Sequence, residues 1–201
     1  MLVNREQFYA GIRTNSLFDT ITQEQVDSMN AILDEWDKRQ LPDFRWLAYM
    51  LGTIYHETGR TMLPIEEVGK GSGHKYGQHI KYSGEAYTTP NQIYYGRGYT
   101  QNTWYEIYDM LTQAAKTSDY SNDSWDFLNH PELLLQVVPS VWATFYCMLN
   151  GKYTGVSLKH YFTPDLEDWT SARKIINGLD CAGQIADYSK RFYKSLILQT
   201  A

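Results

Sequence analysis

The chain has 201 residues, 43% of them hydrophobic and 20% charged, which is ordinary for a soluble globular protein with one well-formed core. Its formal net charge is −5 with no block of lysine and arginine, which argues against nucleic-acid binding through a broad basic patch. No apolar run approaches the ~20 residues of a membrane span, so membrane insertion is not expected.

The N-terminus, MLVNREQFYAGIR, lacks the basic start and apolar stretch of a signal peptide. Synthesis in the cytoplasm without a signal peptide is therefore expected, with any export by another route. Residues 5–14 and 22–39 are predicted helical, the second from the spacing of Val26, Met29, Ile32, Leu33 and Trp36. LPDF at 41–44 breaks the chain and offers Asp43 as a helix N-cap. Leu47, Met50, Leu51 and Ile54 then recur at i, i+3, i+4 and i+7, the buried face of a third helix with Gly59 as its C-cap. Residues 64–100 hold many Gly, Tyr, Ser and Thr without helical periodicity, and a polar segment of that length inside a domain is usually functional. Short β pieces are expected there, for instance at QIYYGRGYT. Helical patterns resume at 103–116, 131–150, 165–177 and 182–198, with Thr103 and Glu106 spaced as a capping box. Only Cys147 and Cys181 are present, and both are expected as free, buried thiols.

Several chemistries can be weighed from these residues. HETG begins like the H-E-x-x-H zinc helix, but the second histidine would fall at Arg60, and no Cys or Asp spacing completes a set with His74 and His79. No metal is expected. GKGSG and GRG are glycine-rich, yet neither follows a strand and opens a helix, so they read as turns and no cofactor is expected. No G-x-S-x-G exists, and Cys147 lies in the apolar run VWATFYCML, where a structural thiol is the better reading. Carboxylates remain: Glu57 at a helix end, and Glu66 and Glu67 after a turn containing Pro64. Glycoside hydrolysis needs such a pair, one protonated to give its proton to the leaving oxygen and one ionised to activate water or attack. An aromatic content of 15%, with 17 Tyr and 6 Trp, supplies flat faces with polar edges suited to core packing or to stacking on sugar rings.

YHETGRTMLPIEEVGKGSGHKYG, YYGRGYTQNTW, NGKYTGVSLKHYF, ARKIINGLD and KRFY occur in that order. With them the chain resembles the family 19 chitinases and, more closely, the phage and bacterial endolysins built on the same lysozyme-like fold, from about residue 40 to 195. The resemblance implies a mainly α, α+β lysozyme-like fold, in which a helical domain carries a Gly/Tyr-rich central loop or small β segment lining a substrate cleft. It implies one catalytic domain over residues 1–201, acting as a monomer.

The resemblance also implies roles. Glu57 is the general acid at the HETG helix end. The second carboxylate is Glu67, or Glu66 if the motif is set one residue nearer. Thr103, with Gln101 in Q-x-[ST], positions the attacking water. His56, Tyr95, Arg97, Gln101 and Asn177 are the substrate-contacting positions. Tyr94 and Trp104 are further candidates for the cleft wall. A structural salt bridge is the plain alternative for Arg97, and core packing the alternative for Trp104. The chain departs from the family at Ile107, where an asparagine that contacts substrate is usual. The implied activity is hydrolysis of β-1,4 bonds in the glycan strands of peptidoglycan, by a phage lysin that reaches the cell wall after release from the host cytoplasm. Chitin hydrolysis is the alternative. A non-catalytic wall-binding or virion module of the same fold, or an antibacterial effector, are further alternatives.

Overall fold

Local capping starts the first three helices where the sequence places them. In the computed structural model, which describes residues 1–197, α1 spans Arg5–Thr14, and its Asn4 side chain accepts from the Gln7 N–H. Helix α2 spans Gln23–Arg39 behind a reciprocal Thr22–Gln25 capping box and stops at Gln40, which turns left-handed. Helix α3, Phe44–Glu57, is capped by the Asp43 side chain on the Arg45 N–H, as expected. Its C-cap is Thr58 rather than Gly59. The glycine follows with a φ of 58°, the position where a left-handed residue closes a helix.

The chain divides into two compact units, residues 1–62 with 144–201, and residues 63–143. In the first, α3 packs along α6, Ala182–Ile197, and Gly52 sets the closeness of that packing: a Cβ there would stand 2.1 Å from Ser189 Oγ and 2.7 Å from its backbone nitrogen. Residue 198, the last of the predicted helix, lies outside the described residues. Phe162, Trp169 and Tyr49 form an aromatic cluster in this unit's core, with Phe162 and Trp169 edge to face at 4.8 Å.

The helix expected over 165–177 does not form. Phe162–Thr163 and Leu166–Glu167 pair as a short antiparallel hairpin, and Ser171–Ile175 makes only a 3₁₀ turn. Pro164 and Asp165 provide the hairpin's turn. The Asp168 carboxylate then takes the Ser171 N–H at 2.9 Å, which fixes a tight local turn in place of a long helix.

In the second unit, β1 (Ile65–Glu66) pairs antiparallel with β2 (Arg97–Gly98), setting Ile65 opposite Gly98 and Glu66 opposite Arg97. Of the expected QIYYGRGYT strand only Arg97–Gly98 forms. Numbered in chain order, the hairpin strands of the first unit are β3 and β4. Helix α4 spans Tyr105–Ala115. The segment 131–150 is not one helix: Pro131–Leu135 is a 3₁₀ turn, Gln136 is extended, and α5 runs Val137–Asn150. Pro139 explains the break, since its ring would clash with the carbonyl of Leu135 if the helix ran through. Trp125, Phe127 and Trp142 make an aromatic cluster in this unit, Phe127 and Trp142 stacked at 5.9 Å. The described residues are thus mainly helical, with sheet confined to two short pairs. No helix among them is long and apolar enough to cross a membrane.

Candidate active-site residues

In the first unit Glu57 closes the last turn of α3. Its Oε1 accepts from Arg173 Nη1 at 2.5 Å. The Arg173 side chain is only 3% exposed, and its Nε donates to the Asp180 carbonyl at 3.2 Å. Glu57 Oε2 has no hydrogen-bond partner among the described residues. A buried guanidinium therefore fixes the carboxyl through one oxygen and leaves the other open. Sequence reasoning missed Arg173, although it stands inside the ARKIINGLD motif, because its partner lies 116 residues away. Asn177 is exposed in the turn that follows, and its N–H donates to the Arg173 carbonyl at 3.3 Å. His56 is half-buried beside Glu57 and lines a small pocket with Tyr55, Arg60 and Tyr188.

The second unit holds Glu66 and Glu67. Glu66 accepts from the Tyr95 hydroxyl at 2.8 Å and pairs with Lys70 Nζ at 2.9 Å. The Lys70 ammonium and then the Tyr95 hydroxyl hold its carboxyl below the ordinary carboxylate range, so it is ionised at neutral pH. Glu67 is tied differently. Its Oε2 takes the Gly96 N–H at 2.9 Å, and Tyr76 Oη reaches both of its oxygens at 3.1 and 3.2 Å. Burial and this carboxylate push the Tyr76 phenol up to about 12.

Gly96 is the point on which this unit's polar residues converge. A Cβ on Gly96 would stand 2.8 Å from Gln101 Oε1 and 3.3 Å from Thr103 Oγ1, so only glycine lets these groups approach so closely. Gln101 Nε2 donates to the carbonyls of Ile65 and Gly98 at 3.1 and 3.0 Å, which fixes its amide across β1 and β2. Thr103 Oγ1 donates to the Gln101 carbonyl at 2.9 Å. The expected Thr103–Glu106 capping box is absent. The N-cap of α4 is Trp104, without a side-chain cap, and the Glu106 carboxylate instead accepts from the Ser83 N–H at 3.2 Å.

Arg97 is buried and forms no salt bridge among the described residues. Its guanidinium lies 3.5 Å from the Tyr95 ring centroid and donates to the Ile93 carbonyl and the Tyr108 hydroxyl at 2.9 and 3.0 Å. Tyr95 is only 7% exposed, so Arg97 and Tyr95 stand behind Glu66 as its support. Tyr94 is no wall residue. It is fully buried, with its hydroxyl bonded to the Leu128 carbonyl at 2.8 Å. Trp104 and Ile107 are both partly exposed. His74 stacks on Tyr76, and no group of three or more His, Cys, Asp or Glu side chains among the described residues is arranged to hold a metal.

No protein-family profile and no curated protein sequence matches the chain. Solved structures do. Chitinase C of Streptomyces griseus matches with a TM-score of 0.62 at 17% identity, over 96% of this chain and 92% of that one. A bacterial family 19 chitinase described as differing from the plant enzymes matches with a TM-score of 0.60 at 18% identity, over 99% and 97%. A variant of chitinase C gives 0.56 at 16%, over 98% and 93%. At these identities the likeness is one of fold: the chain has the mainly helical, lysozyme-like fold of bacterial family 19 chitinases along nearly its whole length.

Proposed function

We propose that the protein is a glycoside hydrolase cleaving β-1,4 bonds in the glycan strands of peptidoglycan, with Glu57 as general acid and Glu66 as the ionised partner. What carries the reading is Glu57. On a fold shared with family 19 chitinases, the carboxyl at the HETG helix end is fixed through one oxygen by a buried arginine while the other is left open. Glu57 protonates the leaving glycosidic oxygen, and the ionised carboxylate activates water. An inverting reaction requires about 6.5–9.5 Å between the two carboxyls and a retaining one about 5–5.5 Å, so the anomer first released identifies the course.

The motif favours Glu67 as the partner, but the hydrogen bonding favours Glu66. Glu66 is held as the anion with 37% of its side chain open to water, whereas Glu67 spends both oxygens on Tyr76 and Gly96. In this reading Glu67 fixes the loop, Thr103 and Gln101 orient the water, and His56 and Asn177 meet the sugar. Tyr95 and Arg97 act through Glu66.

The test is mass spectrometry of products from purified sacculi beside colloidal chitin. New reducing ends on muropeptides support the proposal, and new amino termini without reducing ends overturn it. Chitin is the second reading, favoured by the structural neighbours being chitinases, and preferential release of chitin oligomers would select it. Wall binding without products would select a non-catalytic module. The motif set's resemblance to endolysins supports a role in phage lysis, acting on the wall after release from the host cytoplasm. Lysis of expressing cells only after membrane permeabilisation is the expected behaviour.

A further inference from the structure

The loop after His79 is built to hold one tyrosine out. The Tyr87 N–H donates to the His79 carbonyl at 2.8 Å, and Lys81 N–H to the Glu85 carbonyl at 2.8 Å. Gly84 N–H closes a turn on the Lys81 carbonyl at 2.9 Å, which places Tyr82 at the tip. The Glu106 carboxylate pins the tip through the Ser83 N–H. With all this anchoring, Tyr82 remains 78% exposed.

The ring behind it is Trp104, edge to face with Tyr82 at 5.3 Å and 90°. Trp104 has φ 77° and ψ 143°, close to a backbone region that glycine alone occupies readily. It is held there by its N–H on the Tyr94 carbonyl at 2.9 Å and by the first turn of α4. The row continues inward. Tyr76 meets Trp104 at 5.1 Å, His74 stacks on Tyr76 at 4.9 Å, and Tyr76 Oη is bonded to Glu67. A tyrosine that is merely solvated needs neither the pinned turn nor a strained tryptophan behind it.

We infer that Tyr82, backed by Trp104 and Tyr76, forms a stacking subsite for one pyranose ring of a β-linked N-acetylhexosamine chain, continuous with the Glu66–Glu67 carboxylates. The exposed phenol face takes the apolar C–H face of the sugar, and the polar edges of Tyr82 and His74 meet its hydroxyls. The strain at Trp104 serves to hold the indole where Tyr82 needs support. The inference rests on the glycan-hydrolase reading and adds a binding element outside its acid and base.

The experiment measures KM and kcat on β-1,4-linked N-acetylglucosamine hexamer, beside melting curves, for wild type, Tyr82→Ala and Trp104→Gly. Tyr82→Ala removes an exposed side chain, so its melting temperature should match the parent. KM should rise about tenfold with kcat within twofold, the equivalent of about 1.4 kcal/mol of binding. Trp104→Gly should lose affinity similarly while melting no lower than a packing loss alone predicts, because glycine relieves the backbone. KM within twofold of wild type for Tyr82→Ala, or a fall in kcat at unchanged KM, overturns the subsite while leaving the hydrolase reading standing. A wild-type chain that neither binds nor cleaves the hexamer or sacculi overturns both.

Discussion

Arg173 Nη1 donates to Glu57 Oε1 at 2.5 Å, joining the end of α3 to the 3₁₀ turn at Ser171–Ile175 across 116 residues of sequence. The contact separates two substitutions that look alike on paper. Glu57→Gln keeps an oxygen for Arg173 and should unfold within about 1 kcal/mol of the parent. It has no proton to give, so turnover of sacculi should fall ~10²-fold or more. Arg173→Met leaves Glu57 Oε1 and the Asp180 carbonyl without their donor, and stranding such acceptors should cost about 1–3 kcal/mol, more than Glu57→Gln. Melting curves beside turbidity assays check both, and near-parental lysis by folded Glu57→Gln would remove Glu57 from the chemistry.

The Glu66–Lys70 contact gives a pH test with a definite sign. Lys70, and after it Tyr95, hold the Glu66 carboxyl below its ordinary range. Whatever stability this depression brings is present above the ordinary carboxylate value and lost as pH falls through the lowered one. Lys70 is 61% exposed, so Lys70→Met should scarcely change melting at pH 7. In the mutant, Glu66 takes its proton at higher pH, and the acid limb of kcat/KM should move upward. An unmoved limb, together with greater damage from Glu67→Gln than from Glu66→Gln, would return the base to Glu67.

What could be read from the sequence was what local contacts decide. The period of Leu47, Met50, Leu51 and Ile54 and the Asp43 cap act within a few residues, and α3 formed as expected. The Thr103–Glu106 pattern was equally local, yet Glu106 is claimed by the Ser83 N–H, 23 residues earlier, and no spacing rule sees such a competitor. Arg173 was invisible as a partner of Glu57 for the same reason. The fold class and the candidate carboxylates came from motif resemblance rather than periodicity, since two or three glutamates near one another carry little information until a fold brings donors to them. The ranking of Glu66 against Glu67 depended on Lys70, Tyr76, Tyr95 and Gly96, whose positions sequence alone could not supply.

The two thiols were expected to behave alike and do not. Cys147 is fully buried in α5, and burial pushes its thiol up to about 12. Cys181 is exposed just before α6, in a left-handed conformation with φ 55° that sends the chain into the helix. One thiol should therefore react promptly with an aromatic disulfide reagent in the native protein, and the second only on unfolding. Cys181→Ser should abolish the fast phase. A fast phase that survives Cys181→Ser would show that the α5 thiol opens to solvent.

The motif resemblance implies an asparagine where this chain has Ile107, and the residue's position on α4 decides between two outcomes. Tyr108 and Leu111 on the same helix are fully buried, but Ile107 in the first turn is only partly buried, as is Trp104 before it. A core isoleucine replaced by asparagine would lose buried methyls and strand an amide, at about 2–4 kcal/mol. At a partly buried site the amide keeps some of its water, so Ile107→Asn should cost about 1 kcal/mol, the middle of the range for single substitutions. If the position faces substrate, the new amide adds one hydrogen bond of about 0.5–1.5 kcal/mol, a few-fold in rate where it acts in the transition state. The expected result is a nearly unchanged melting curve with a few-fold gain in specific activity on sacculi, read from one preparation. A large fall in melting temperature without that gain would place Ile107 in the core of the second unit and remove it from the substrate's reach.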